Sequence, residues 1–249
     1  DLGKINSMTK YPSIPTYHTL NQKGRLTDPV AVPFSGTVIG SEKIDGTNAR
    51  IIFLPDMAGT SMIGSREELL WARGDLIHNP SMHIVETVRA LAEKIDIRRP
   101  DRIIVYYVEV FGASIGAGAK QYSASGTRSF HIFDIAEIPN YEEILAWPRE
   151  RIAAWRDNGG QHFAPATDLA TRAAEGGIEC VPPLFEMPAD RCPTTLEAAR
   201  DLLREYDASR AGLVAAGGRA EGIVIRTTDR QVIAKLRRED YDRALGGRR

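Results

Sequence analysis

Apolar and polar positions change rhythm several times along this chain, and each change predicts an element. Residues 38–39 and 49–54 read as two β-strands with Asp45-Gly46 as a tight-turn signal between them, which predicts a hairpin. Before it, Pro12, Pro15, Pro29 and Pro33 are spaced too closely for a long helix, so residues 8–36 read as an extended lead-in. After it, residues 57–60 read as a turn and 61–64 as a short strand leading into Ser65-Arg66. The period then lengthens. Ile84, Val88, Leu91 and Ile95 fall on one helical face and predict an amphipathic packing helix over residues 81–97.

Residues 103–111 form a continuous apolar and aromatic run broken by Glu109, the pattern of a strand buried on both faces. Residues 129–135 are another strand, with Phe133-Asp134 at its end. Helical pieces follow at 141–157, punctuated by Pro148, and at 195–208, the second opened by the capping box Thr194-Thr195-Leu196-Glu197. Between them Cys180-Val181-Pro182-Pro183-Leu184 reads as a short strand and turn. Residues 221–227 and 231–237 read as two strands joined by the turn Thr228-Asp229-Arg230. Alternation puts Glu221, Ile223 and Ile225 on one face, Gly222, Val224 and Arg226 on the other, and Lys235 together with Arg237.

Bulk numbers narrow the class. With 249 residues, 43% of them hydrophobic, the chain can bury a sizeable core, and we read residues 1–249 as one domain. Met8 makes a plausible start, so residues 1–7 read as a remnant before it. A formal net charge of −1 gives no overall cationic field, so any nucleic-acid surface must be a local patch. Cys180 and Cys192 match no zinc spacing and are too few for a disulfide scaffold, which points to a reduced cytoplasmic setting. No run of about 18 apolar residues is present, and no signal-peptide centre, so neither a membrane span nor export is expected.

Candidate chemistry centres on Ser41-Glu42-Lys43-Ile44-Asp45-Gly46-Thr47-Asn48, where Lys43 is held at a strand end. A lysine amine has a reference pKa of about 10.4, so a nucleophilic role needs cations or desolvation nearby. Taken alone, Lys-x-Asp-Gly is more often an exposed lysine beside a turn. Glu109 inside an apolar strand is either satisfied by a structural partner or aimed into a site. Phe133 alone is ordinary core, and the strands after Glu221 alone are a surface hairpin with charged edges. Arg98, Arg99 and Arg102 read as a solvated helix end. Gly118-Ala119-Lys120-Gln121 lacks the ending of a phosphate-binding P-loop and reads as a flexible loop. His162 has no partner pattern, and the five histidines contain no metal-binding pair at helical spacing.

The order of these segments changes the weighting. Glu42-Lys43-Ile44-Asp45-Gly46-Thr47-Asn48 is followed by Ser65-Arg66, Glu109-Val110-Phe111-Gly112, Phe130-His131-Ile132-Phe133-Asp134, Glu221-Gly222-Ile223-Val224-Ile225-Arg226 and Ala234-Lys235-Leu236-Arg237. This series resembles the covalent nucleotidyltransferases, and within them the RNA ligase 2 family of nick-sealing RNA ligases. The resemblance implies an α+β fold: a nucleotidyltransferase (adenylyltransferase) domain of antiparallel sheets flanked by helices, an ATP-grasp-like ligase fold. It also implies an ATP-dependent enzyme in which Lys43 takes AMP from ATP, passes it to a 5′-phosphate, and a 3′-hydroxyl displaces AMP to seal RNA ends or a nicked RNA duplex.

By the same resemblance, Lys43, Lys235, Arg237 and Asn48 carry the catalysis, Asn48 acting after the lysine is charged. Glu42, Lys43, Arg66, Glu109, Phe133, Glu221, Val224 and Lys235 contact the nucleotide, with Phe133 stacked on the purine and Val224 closing it from the other side. Glu221 and Glu109 hold Mg2+ or Mn2+. The fifth motif departs from the many relatives with lysine at both positions, having Lys235 and Arg237. Arginine keeps the charge but is not interchangeable where a point charge is wanted. The match spans residues 43–237 and leaves no room for the appended OB-fold of many relatives; whether a helper domain or subunit exists stays open. The competing readings are a GTP-dependent capping-type guanylyltransferase and a non-catalytic RNA-end-binding relative.

Overall fold

A computed structural model describes the chain except residues 56–60, 73, 78–82, 96, 98, 117, 123–125, 213–217 and 247–249 and the side chains of 120 and 121. The expected turn at 57–60 and Arg98 lie outside the described residues. In order, the first half contains α1 (Leu2–Thr9), β1 (His18–Leu20), β2 (Leu26–Val30), β3 (Thr37–Lys43), β4 (Thr47–Phe53), β5 (Met62–Ser65), β6 (Leu69–Ala72), β7 (Asp75–Leu76), α2 (Ile84–Lys94), β8 (Arg102–Gly112) and α3 (Ala119–Tyr122). The second half contains β9 (Arg128–Pro139), α4 (Tyr141–Ala146), α5 (Arg149–Asp157), β10 (His162–Phe163), α6 (Ala166–Gly176), β11 (Pro183–Pro188), α7 (Leu196–Glu205), β12 (Gly222–Thr227), β13 (Ile233–Arg237) and α8 (Arg238–Ala244).

The strands make a large sheet of order β10-β9-β8-β4-β5-β6-β7, a small sheet of order β11-β3-β12-β13, and the separate pair β1-β2. Every pairing within the two main sheets is antiparallel, with helices against their faces, which is the α+β arrangement expected. The hairpin expected at Asp45-Gly46 is not formed. β3 is flanked by β11 and β12, whereas β4 is flanked by β8 and β5, so the two strands part into different sheets at Ile44-Asp45-Gly46. The parting is held in place. Ile44 is buried with Phe111 and Tyr122, and the Asp45 amide donates to the Tyr122 hydroxyl at 2.7 Å. Gly46 leaves no room for a side chain, since a Cβ there would stand 2.3 Å from the Val110 carbonyl oxygen.

β8 explains its unbroken apolar sequence. Ile104, Tyr106, Val108 and Val110 face a core that α2 and α6 complete, while Ile103, Val105 and Tyr107 face a second core containing residues of α1, α4 and α5. A third core under the small sheet packs Ile223, Ile225, Ala234 and Leu236 against Leu196, Leu203 and Tyr241 of α7 and α8. Each isoleucine, leucine or valine side chain so buried contributes roughly 1.5–3 kcal/mol.

Helix limits differ from the sequence reading for local reasons. α2 starts after His83, which lies in the left-handed region, and ends with Ile95 already extended. Residues 141–157 are two helices broken at Trp147-Pro148, because proline disfavours helical geometry before it. The cap of α7 is Thr195, whose hydroxyl accepts from the Ala198 amide at 3.2 Å, so Glu197 falls one position early for a capping box. The loop expected around Lys120 contains α3, whose Tyr122 is the partner of Asp45. α1, overlapping the segment read as a remnant, buries Ile5 and Met8, and its Asn6 accepts from the fully buried Arg50.

Candidate active site

The small sheet turns one face to a cavity of about 520 Å³, and strand alternation decides what it shows. Ile223, Ile225, Ala234 and Leu236 go to the core behind. Ser41 and Lys43 of β3, Val224 and Arg226 of β12, and Ile233, Lys235 and Arg237 of β13 line the cavity. Register makes two rows of these: Ser41, Val224 and Lys235 side by side, then Lys43, Gly222 and Arg237. Gly222 is the gap in the second row, and a Cβ there would meet the Leu236 carbonyl oxygen at 2.0 Å. Glu221 lies just before the ladder, where alternation no longer binds it. Its carboxylate turns to the cavity side, taking Lys43 Nζ at 2.5 Å and Arg237 Nε at 2.7 Å, rather than joining Ile223 and Ile225.

The large sheet supplies the facing wall. Asn48 of β4 and Glu109 of β8 are cross-strand neighbours, and both line the cavity with Arg66, which follows β5. On β9 the register slips: Tyr107 pairs with Asp134 and Val108 with Ile132, so Phe133 is the extra residue of a β-bulge. A bulge re-aims side chains. Ile132 and Ile135 remain in the first core, while Phe133 borders the second core and lines the cavity.

Electrostatics divide the cavity. Lys43, Arg66, Arg226, Lys235 and Arg237 line it together with the acidic residues Glu42, Asp45, Glu109 and Glu221, so both signs of charge meet in one cavity. Burial, and then the charges of Lys43 and Arg237, hold Lys235 below the ordinary lysine range. Burial pushes the Glu109 carboxyl up to about 7, with Glu221 and Asp45 adding to the effect and Lys43 opposing it. Asp45 is also raised, by burial and then by Glu221. The carboxylates therefore feel one another's charge, a setting that a cation would relieve. Among the described residues no three His, Cys, Asp or Glu side chains form a cage for a metal ion. Asn48, a lining residue, keeps its Oδ1 buried without a hydrogen-bond partner.

All ten residues singled out from sequence thus border one cavity, with one difference of detail. The Glu42 side chain points away from it, alternating with Ser41 and Lys43, and its carboxylate accepts from Ser209 Oγ at 2.5 Å and from the Arg210 amide at 2.7 Å. Arg66 is largely exposed, donating to Ser13 Oγ at 3.3 Å. Sequence reading passed over Tyr11, Pro12 and Ile14, which line the cavity from the segment read as a lead-in. Their only signal was an aromatic residue beside a proline.

Solved structures share this architecture. A Naegleria gruberi RNA ligase with pyrophosphate aligns at a TM-score of 0.59 and 13% identity, over 97% of this chain and 59% of that one. A mutant of the same ligase with ATP and Mn gives 0.56 and 14%, over 94% and 62%. An archaeal ATP-dependent RNA ligase gives 0.54 and 17%, over 93% and 49%. The chain thus spans about three fifths of the Naegleria ligase and half of the archaeal one. No curated protein matches it. The RNA ligase family profile matches residues 36–237, from the start of β3 to the end of β13 and so across both walls of the cavity, and the chain belongs to the RNA ligase family.

Proposed function

We propose that the protein is an ATP-dependent RNA ligase working through a covalent Lys43–AMP intermediate. The observation that carries this reading is the meeting, in one cavity, of a strand-end lysine with Lys235 and Arg237 on one wall and Phe133, Glu109 and Asn48 on the other. Lys43 Nζ attacks the α-phosphorus of ATP, forming an N–P bond as the bond to the β-phosphate breaks and pyrophosphate leaves. A 5′-phosphate oxygen then attacks the same phosphorus, breaking the N–P bond and carrying AMP away. Finally a 3′-hydroxyl attacks the 5′-phosphorus and AMP departs. Such steps depend on in-line positioning and neutralised oxygens.

The chain's own groups suit those needs. Lys235 and Arg237 face the α-phosphate as fixed cations, and Phe133 and Val224 hold the purine between the two walls. The pair of Lys43 with Glu221 is partly exposed, so it is weak enough for an incoming triphosphate to separate. Asn48, whose amide both donates and accepts and whose Oδ1 has no partner within the chain, orients the strand end at the break. A hydrated divalent cation fits Glu221 and Glu109, two oxygen donors that border the same cavity, and when bound it supplies charge neutralisation at the phosphate.

The test is incubation with α-labelled ATP or GTP and a divalent cation, followed by a denaturing gel. Wild type should retain label from ATP, and Lys43→Ala should retain none while its thermal melt stays unchanged. Equal labelling of both proteins would remove Lys43 from the reaction. Label from GTP alone would turn the reading to a capping-type guanylyltransferase, and no label from either nucleotide to an RNA-end-binding protein.

A further inference from the structure

The segment from Tyr11 to Tyr17 crosses the cavity and is fastened at both ends. At one end the Tyr11 hydroxyl donates to Asp134 Oδ2 at 2.8 Å and accepts from Arg230 Nη2 at 2.7 Å, while Arg230 Nε donates to the same Asp134 oxygen at 2.7 Å. The Tyr11 ring meets Phe133 edge to face, centroids 5.0 Å apart at 88°. One side chain therefore grips both consecutive residues of the β9 bulge. Arg230 takes this position from the left-handed region at φ 64°, a conformation that costs a side-chain-bearing residue free energy and persists where its surroundings fix it.

At the other end the backbone joins the open edge of β13. The Lys235 amide donates to the Pro15 carbonyl at 2.9 Å, the Tyr17 amide donates to the Lys235 carbonyl at 3.1 Å, and Thr16 bridges Lys235 in parallel register. Both main-chain polar groups of Lys235 are thereby used, and Tyr17 is buried in the third core. Between the two anchors Pro12 and Ile14 line the cavity. Pro12 and Pro15 fix φ at about −65° and hold the residue before each in extended backbone, so the connection is stiff.

We propose that residues 11–17 are a positioning strap that sets the spacing between the Phe133 platform and Lys235, with Tyr11 as its anchor residue. The proposal rests on the nucleotide reading of the cavity given above. In that reading Phe133 takes the base and Lys235 the phosphate, so a strap of fixed length matches the cavity to the distance between base and α-phosphate. Its effect is felt equally by bound ATP and by the transition state, and loss of it appears in the KM for ATP more than in the rate at saturation.

The experiment measures adenylylation rate against ATP concentration for wild type, Tyr11→Phe and the double variant Pro12→Gly/Pro15→Gly. The first removes only the hydroxyl; the second keeps every main-chain bond to Lys235 and removes the stiffness. Each should raise KM for ATP about tenfold, while the rate at saturating ATP falls less than about threefold. If the double variant melts early, Tyr11→Phe decides alone. Unchanged KM, or a lower saturating rate at unchanged KM, overturns the strap. A wild type that takes no label from ATP overturns the nucleotide reading and the strap with it, so the wild-type measurement separates the two failures.

Discussion

Two ionic clusters of similar composition border the cavity, each a carboxylate set between cations. Glu221 lies between Lys43 and Arg237, at 2.5 and 2.7 Å, and these side chains keep 19–36% of their surface exposed. Asp134 lies between Arg230 and Arg226, at 2.7 and 3.5 Å, with the Tyr11 hydroxyl as a further donor, and it is fully buried. In the first cluster water competes for every partner and the pair contributes little to folding. In the second no solvent replaces a lost partner, so the charges depend on one another. The same chemistry thus serves two ends. The open cluster can be taken apart by a ligand, and the closed one holds the wall against which that ligand rests.

The sharpest way to break the contrast is Asp134→Ala, which strands Arg230 and Arg226 in the interior. Global stability in denaturant titration should fall by about 3–5 kcal/mol, the cost of leaving buried charges uncompensated. A loss under about 1 kcal/mol would mean that the closed cluster is no more structural than the open one. Next in size is Glu221→Ala, with the opposite signature: stability within about 1 kcal/mol of wild type, but adenylylation slower by about a hundredfold, the scale of one preorganised electrostatic contact. Full activity at all divalent-cation concentrations would reduce Glu221 to an ordinary strand-end residue.

Glu109 gives the most graded effect, spread over a range of pH. Its carboxyl is raised, chiefly by burial, from an ordinary value of 4.5 to about 7. Between those values the folded protein keeps a proton that the unfolded chain has released, so stability declines as pH rises through that window and levels off above it. Melting temperatures of wild type and Glu109→Gln should therefore diverge between about pH 5 and 7, the variant gaining on wild type as pH rises. Parallel curves would place Glu109 in an ordinary solvated setting.

Much of this was legible in the chain because the relevant signals are short. Residues 103–111 read as a doubly buried strand since every position there but Glu109 packs in a core. Alternation correctly grouped Lys235 with Arg237 and Val224 with Arg226. What was hidden depends on distant partners. Asp45-Gly46 looks the same whether its strands pair together or part, and the decision is made by β11 and β12 far downstream. Tyr11 looked like part of a lead-in because its hydroxyl partners, Asp134 and Arg230, lie 123 and 219 residues away. The bulge at Phe133 is equally silent in the sequence, for it is a property of the register between β8 and β9.

The parting of β3 from β4 also fixes the mechanics of the cavity. Spacings among Lys43, Gly222 and Arg237 are ladder spacings within one lattice, and those among Asn48, Glu109 and His131 belong to another. The separation of the walls is then a distinct coordinate, to which no spacing inside either sheet responds. A pair of distance labels on β12 and β13 is blind to it, whereas a pair on β12 and β9 reads it directly. Lys43, one residue before the turn where the lattices divide, is registered with Gly222 and through it with Arg237, so its main-chain position belongs to the small-sheet lattice alone, and the strap of residues 11–17 is what ties that lattice to the Phe133 wall.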